Sequence, residues 1–169
     1  LLTALGVWLW VASNNVRRAV HIWDTYHYYM GAKYFPELGY RRLYDCTLAA
    51  DMEAGQGGDL ATRYLRNLNT NQMESASEAL PRAAKCRGLF KPERWAMFTH
   101  DVGFFREHQP RGRWLDIQKD HGFNATPIWI MMGRLLTSTG QAGPVQVAFL
   151  VSLDFMLYGL IWIMVIRSF

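Results

Sequence analysis

The stretch Trp23-Asp-Thr-Tyr-His-Tyr-Tyr-Met-Gly-Ala-Lys-Tyr-Phe-Pro-Glu-Leu-Gly-Tyr40 follows directly on an apolar N-terminal segment. It places an acid, Asp24, and a histidine, His27, three residues apart, so both side chains share one face if the chain is helical. The helical period runs without a breaker over residues 13–35. Pro36 is expected to end this helix.

Asp24 and His27 are the candidate catalytic residues. An acid just beyond a membrane helix could accept a proton from a hydroxyl group, bind a metal ion or pair with an arginine. For His27 the chemical interpretation is an imidazole that the Asp24 carboxylate orients. The alternative is a ring that only packs among the neighbouring tyrosines.

Charge is confined to the middle of the chain. Of the 18 Lys and Arg residues only Arg167 lies outside residues 13–140, and of the 14 Asp and Glu residues only Asp154 does. Apolar ends around a polar middle predict a mainly α protein, a membrane hairpin of two transmembrane helices with a helical extracytoplasmic domain between them.

The hairpin has three parts. Residues 1–20 are expected to form most of the first transmembrane helix, with a buried helix of a soluble protein as the alternative. Residues 21–140 form the extracytoplasmic domain, and residues 145–166 form the second transmembrane helix. Since the sequence opens inside an apolar run without Met, we expect it to belong to a longer chain.

The pattern within the domain predicts helices and no strands. A short amphipathic helix is expected after Asp59, because apolar side chains recur at helical spacing over residues 60–68. Ser75-Ala-Ser-Glu78 has the spacing of a capping box. Lys91-Pro-Glu-Arg-Trp95 places a proline at the first position of another helix.

The last part of the domain has a different composition. Residues 110–113 indicate a turn, and residues 114–120 a short helix. Residues 127–136 read Pro-Ile-Trp-Ile-Met-Met-Gly-Arg-Leu-Leu, which is apolar but too short to span a bilayer. This composition predicts an interfacial or re-entrant helix.

Two cysteines and one acid of the chain are expected to make specific contacts. Cys46 and Cys86 both lie in the extracytoplasmic domain, where oxidation is permitted, and form either one disulfide or two buried free thiols. Asp154 lies within the second apolar helix, where a carboxylate is costly unless it faces protein or water. It therefore predicts a contact with another helix of this chain or of a partner.

The net charge of +4 and the isoelectric point near 9.2 are basic. Nucleic-acid binding requires a clustered basic face without membrane anchors, so membrane lipid is the expected partner instead. A lipid phosphate could be bound by four arginines of the domain, or these could form a solvated basic surface. They are Arg41, Arg42, Arg63 and Arg66.

Two further His/Asp pairs occur, His100-Asp101 and Asp120-His121. Together with Asp24 they could surround a divalent metal ion. Their spacing matches no zinc motif, so we assign no metal ligands and keep a divalent metal only as a possible cofactor of a catalytic form.

Several motifs point to a known family. The stretch Asp24–Tyr40, followed by Leu43-Tyr-Asp-Cys46, resembles the first extracytoplasmic loop of GT-C type integral membrane glycosyltransferases. Lys119-Asp-His-Gly-Phe-Asn-Ala-Thr-Pro-Ile-Trp129, followed by Leu153-Asp154 in a membrane helix, is similar to later parts of bacterial proteins of that kind.

The resemblance implies a function. Such enzymes use lipid-phosphate sugar donors, here a polyprenyl-phosphate sugar, and carry an acid just past the first helix, which corresponds to Asp24. It implies a multi-pass protein of the bacterial inner membrane with residues 21–140 in the periplasm. A complete enzyme of this class has many more transmembrane helices.

Two hypotheses follow. Either the chain is the N-terminal part, or a shortened relative, of such an enzyme, or it is a non-catalytic accessory subunit. In the second case it would cap the extracytoplasmic face of a larger respiratory or photosynthetic membrane complex.

Overall fold

A computed structural model describes residues 6–8, 10–11, 14–16 and 20–168. The chain divides into two units, one of Leu1–His21 with Ala142–Phe169 and one of Ile22–Gln141. The described residues are mainly helical, which confirms the predicted class.

The motif stretch forms two helices rather than one. The chain bends at Val20, and α1 begins at Ile22 and ends at Lys33. The short helix α2 then covers Phe35–Leu38, with Pro36 inside its first turn. The first helix thus ends just before Pro36, close to the predicted position, but the helical run predicted over residues 13–35 is interrupted at Val20. Pro36 itself lies at the start of the next helix, whose first turn tolerates a residue without an N–H donor.

The next helix, α3, covers Leu43–Glu53 and is followed by a β-hairpin. Strands β1 (Tyr64–Asn67) and β2 (Gln72–Ser75) pair antiparallel, with Leu65 opposite Glu74. The helix expected after Asp59 is thus wrong, and so is the absence of strands. Asn71 has a φ of 61° at the turn, a conformation that asparagine adopts more readily than most residues.

Three predicted helix starts can be compared with the structure. The capping box of Ser75 and Glu78 opens α4, Ala76–Ala83, and Lys91 precedes α5, Pro92–Glu107; both predictions are confirmed. Helix α6 covers Arg111–Ile117, so residues 110–113 are its start and not a turn. Between α4 and α5 lies a 3-10 turn, Cys86–Leu89.

Two apolar helices complete the chain. Helix α7 covers Pro127–Thr137 and belongs to the unit Ile22–Gln141. Helix α8 covers Pro144–Ser168 and belongs to the other unit. Among the described residues, α8 is the one helix that is long and apolar enough to cross a membrane. The first predicted span, residues 1–20, falls for more than half of its length outside the described residues.

The core of the unit Ile22–Gln141 lies between α1, α3, α5, α6 and the hairpin. Its fully buried side chains include many rings, and Tyr26 touches both Phe105 and Trp114 edge-on. The apolar stripe of α5 is buried here. It consists of Trp95, Phe98, Val102 and Phe105.

Charged side chains also enter this core. Lys33 and Asp101 form a fully buried ion pair of 2.7 Å, and the Tyr34 hydroxyl donates to the same carboxylate at 2.8 Å. Asp51 lies in a second buried cluster, with Arg63 at 2.6 Å. The first pair connects α1 to α5, and the second connects α3 to the loop before β1. In both pairs each buried charge has an opposite charge beside it, as burial requires.

Candidate functional site around Asp24

Asp24 lies in the first turn of α1 and is exposed. A carboxylate at the N-terminus of a helix is stabilised by the helix dipole. Tyr28 and Ala32 follow it at intervals of four residues, so the three share one side of α1. The exposed acid therefore extends the face of α1 that packs on α7.

The contact between α1 and α7 is close. A Cβ added at Gly133 would lie 2.9 Å from Cβ of Ala32, so only glycine fits there. The rings of Tyr28 and Trp129 meet edge-on with centroids 5.8 Å apart. Helix α7 is thus held against the side of α1 that carries Asp24.

His27 is buried, and both of its ring nitrogens have partners other than Asp24. Nδ1 donates to the Trp23 carbonyl at 2.9 Å, because a carbonyl can only accept. Nε2 lies 2.6 Å from the Tyr44 hydroxyl, which in turn accepts from the Gly122 N–H at 3.1 Å. With Nδ1 protonated, Nε2 accepts the Tyr44 proton, and every group in this chain of bonds is satisfied by a neutral imidazole.

The electrostatics agree with a neutral His27. Burial lowers the pKa of the imidazole, while the nearby charges of Asp120 and Asp24 act in the opposite direction. Burial also raises the pKa of Tyr44, so that hydroxyl stays protonated. The predicted orientation of His27 by Asp24 is therefore wrong, and Tyr44, which sequence reasoning did not assign, is the side chain that fixes the ring.

Asp120 is the second acid of this region. Burial opposes its ionisation, but hydrogen bonds from Trp23 Nε1 and from the His121 N–H, both of 2.7 Å, lower the pKa of its carboxyl. His121 contacts Asn71 of the hairpin turn through its ring at 2.9 Å. Asp120 and His121 therefore fasten the segment before α7 to α1 and to the hairpin.

The metal constellation suggested by the sequence does not form in the described part of the chain. No group of three or more His, Cys, Asp or Glu side chains is placed there to hold a metal ion. His100 contacts Asp101 at 3.2 Å, and Asp101 is the partner of Lys33. This pair belongs to the contact of α1 with α5.

The four predicted phosphate-binding arginines separate into two kinds. Arg63 is buried and binds Asp51, Gln118 and the Gly57 carbonyl, and this engagement is incompatible with its assignment to a lipid phosphate. Arg66 donates to the carbonyls of Lys119 and Asn71, both at 2.9 Å.

The other two arginines have a different environment. Arg41 and Arg42 are exposed in the turn between α2 and α3, and Arg42 reaches the Glu37 carbonyl at 3.4 Å. Of the four, these two are open to an incoming anion.

The remaining predicted residues have a mixed outcome. Cys46 of α3 and Cys86 of the 3-10 turn form a disulfide, with Cα atoms 5.2 Å apart. Asp154 lies in α8, but its side chain is outside the described part of the structure, so its predicted intramembrane contact stays a prediction.

A comparison of the chain with protein-family models, with curated proteins and with solved structures finds no match.

Proposed function

We propose that the chain is the membrane-anchored region of a GT-C-like glycosyltransferase, with Asp24 as the base that activates the acceptor. In this proposal the N-terminal apolar segment and α8 are the two arms of a membrane hairpin in a multi-pass protein of the bacterial inner membrane. The unit Ile22–Gln141 lies on the periplasmic side and receives a polyprenyl-phosphate sugar.

The exposure of Asp24 carries the proposal. His27 and Arg63 are buried, whereas Asp24 is exposed on the first turn of α1. It is also the residue that corresponds to the family's acid in the resemblance. A base must reach the proton it removes, and an exposed carboxylate on the side of α1 that packs on α7 meets that condition.

The reaction is a substitution at the anomeric carbon of the donor. Asp24 accepts the proton of an acceptor hydroxyl, and the oxygen forms a bond to the anomeric carbon. The bond from that carbon to the lipid phosphate breaks, and the phosphate leaves with the electron pair. Arg41 and Arg42 are the exposed cations that could stabilise the charge of the leaving phosphate.

An Asp24→Asn substitution in the full-length protein tests this role. Membranes containing the protein would receive a radiolabelled polyprenyl-phosphate hexose, and the label that leaves the lipid fraction would be measured. We expect transfer to fall by roughly 100-fold or more, the usual effect of losing a general base. Glu93→Gln, a matched exposed carboxylate on α5, should leave transfer unchanged.

Equal transfer by the Asp24→Asn protein and the parent would refute the assignment. Intact disulfide and unaltered circular dichroism of the variant would show that a loss of transfer is not a loss of folding. Asp24 is exposed, so we expect both readouts to match those of the parent.

A non-catalytic accessory role is the second candidate, and the surface of α8 favours it. Only 6% of its most apolar window is buried within the chain, so lipid or other helices must cover the rest. Crosslinking of the native protein within its membrane would show partner subunits. In that case the Asp24→Asn protein should assemble normally and affect no transfer reaction.

A further inference from the structure

Helix α7 is amphipathic in the reverse sense to a surface helix of a soluble domain. The side chains at positions i, i+3, i+4 and i+7 are apolar and point outward, where a soluble domain carries polar groups. They are Ile128 (75% exposed), Met131 (74%), Met132 (52%) and Leu135 (68%). The residues of α7 that are buried against the protein are the small Gly133 and the polar Thr137.

The border of this stripe has the composition of a membrane interface. Trp129 and Tyr28 are half exposed and in edge-on contact. Tyr40 is exposed to the same degree, stacks on Phe123 and donates its hydroxyl to the Ala125 carbonyl at 3.1 Å. Amphipathic rings of Trp and Tyr collect where a bilayer meets water.

The charge of α7 fits lipid as well. The helix contains no acid, and its one charged residue, Arg134, is exposed. An arginine beside an apolar stripe can extend to anionic headgroups while its stem stays in the apolar region. Only residues 138–143 separate α7 from α8, the helix long enough to cross a membrane.

From these observations we infer that α7 lies in the plane of the membrane, with Ile128, Met131, Met132 and Leu135 inserted among the acyl chains. Trp129, Tyr28 and Tyr40 then mark the headgroup level. A lipid surface is the partner because the stripe is apolar and bears aromatic borders, and because a membrane-spanning candidate follows it after six residues of the chain. This inference does not depend on the proposed role of Asp24.

Depth measurement with a nitroxide label tests the inference. Cys46 and Cys86 are joined in a disulfide and do not react with the label. Met131→Cys, made in the full-length protein, therefore places a reactive thiol on α7. Met73→Cys is the matched control, since Met73 is 41% exposed on the hairpin. Both labelled proteins are reconstituted into vesicles of phosphatidylethanolamine and phosphatidylglycerol.

The label at position 131 should collide with oxygen, which concentrates in lipid, and be at least five-fold less accessible than the label at position 73 to a water-soluble nickel chelate. The label at 73 should show the opposite preference. Equal accessibility of both positions to the nickel chelate would overturn the inference. Protection of position 131 from both reagents would also overturn it, because a protein partner or a second copy of the chain would then cover α7.

Discussion

Asp51 shows what a buried charge does in this fold. Its carboxylate is fully buried and receives hydrogen bonds from Arg63 at 2.6 Å, Arg106 at 2.8 Å and the Trp114 indole at 2.9 Å. These donors come from the loop before β1, from α5 and from α6. The acid thereby determines where three segments meet α3.

Replacing Asp51 by Asn should destabilise the protein strongly, because two guanidinium groups would lose their counter-charge in a dry environment. Breaking a buried pair by removing one partner costs about 3–5 kcal/mol. Urea unfolding in detergent would measure the loss of unfolding free energy. Asp116→Asn is the control, since Asp116 pairs with Lys119 on the surface and should change stability by less than about 0.5 kcal/mol. Similar losses for the two variants would contradict the role of Asp51.

His27 predicts a pH dependence of stability. Its folded-state pKa is lowered below the ordinary value by burial, so the unfolded chain binds a proton that the folded chain resists. The unfolding free energy should therefore fall as the pH drops below about 6.5, by at most roughly 1.4 kcal/mol per pH unit. Unfolding measured between pH 7.5 and 5.5 should show this slope. A His27→Gln protein should show a shallower one, and an identical slope would argue against His27 as its source.

Residue-level chemistry could be predicted from the sequence only in part. The motif selects Asp24 as the candidate acid, a role that stays a prediction, and no spacing separates the buried Arg63 from the exposed Arg41. Burial depends on which acid lies nearby in space, and Asp51 comes from a different element. For the same reason the pairing of His27 with Tyr44 emerged only from the fold, although both residues lie within the quoted motifs.

At the level of elements, the two helix starts that carry a recognisable N-terminal signal were predicted correctly. Ser75 with Glu78 and Lys91 with Pro92 satisfy or remove the free N–H groups of a first turn. The hairpin of β1 and β2 was missed because each strand has only four residues. So short a strand shows too little alternation of apolar and polar side chains to be recognised. The apolar residues over 60–68 recur at the spacing of a helix, and only tertiary contacts decide whether this segment forms a helix or a strand.

Replacing each of two helical glycines by alanine should change the stability of the protein in opposite directions, because the two sites are packed differently. A Cβ at Gly31 of α1 would overlap the ring of Phe123, whereas a Cβ at Gly103 of α5 would meet only the end of Arg106, 3.6 Å away. Gly31→Ala should therefore cost about 1–3 kcal/mol of stability. Gly103→Ala should stabilise the protein by up to about 1 kcal/mol, since alanine favours the helix. Thermal unfolding would distinguish them, and stabilisation by both would show that Phe123 can move aside.

For the whole molecule, charge patterning is the strongest sequence signal. It predicted a mainly α membrane hairpin with two spans. The described residues are mainly helical and contain one candidate span, α8, so the second span stays a prediction. In the proposed membrane protein, the disulfide of the unit Ile22–Gln141 bears on which side of the membrane that unit would lie. Disulfides persist in oxidising compartments and are rare where glutathione and thioredoxin keep thiols reduced.

The disulfide therefore predicts both a location and a stability. If the unit is periplasmic, a maleimide polymer should not modify Cys46 or Cys86 in membranes until reductant is added. Crosslinking Cys46 to Cys86, with a sequence separation of 40 residues, restricts the unfolded chain and is worth about 4 kcal/mol in the chain-entropy model. Urea unfolding with and without reductant should show a loss of this order. A Cys46→Ala, Cys86→Ala double variant should be insensitive to reductant. Modification of the unreduced native protein would instead indicate free thiols and contradict a periplasmic location.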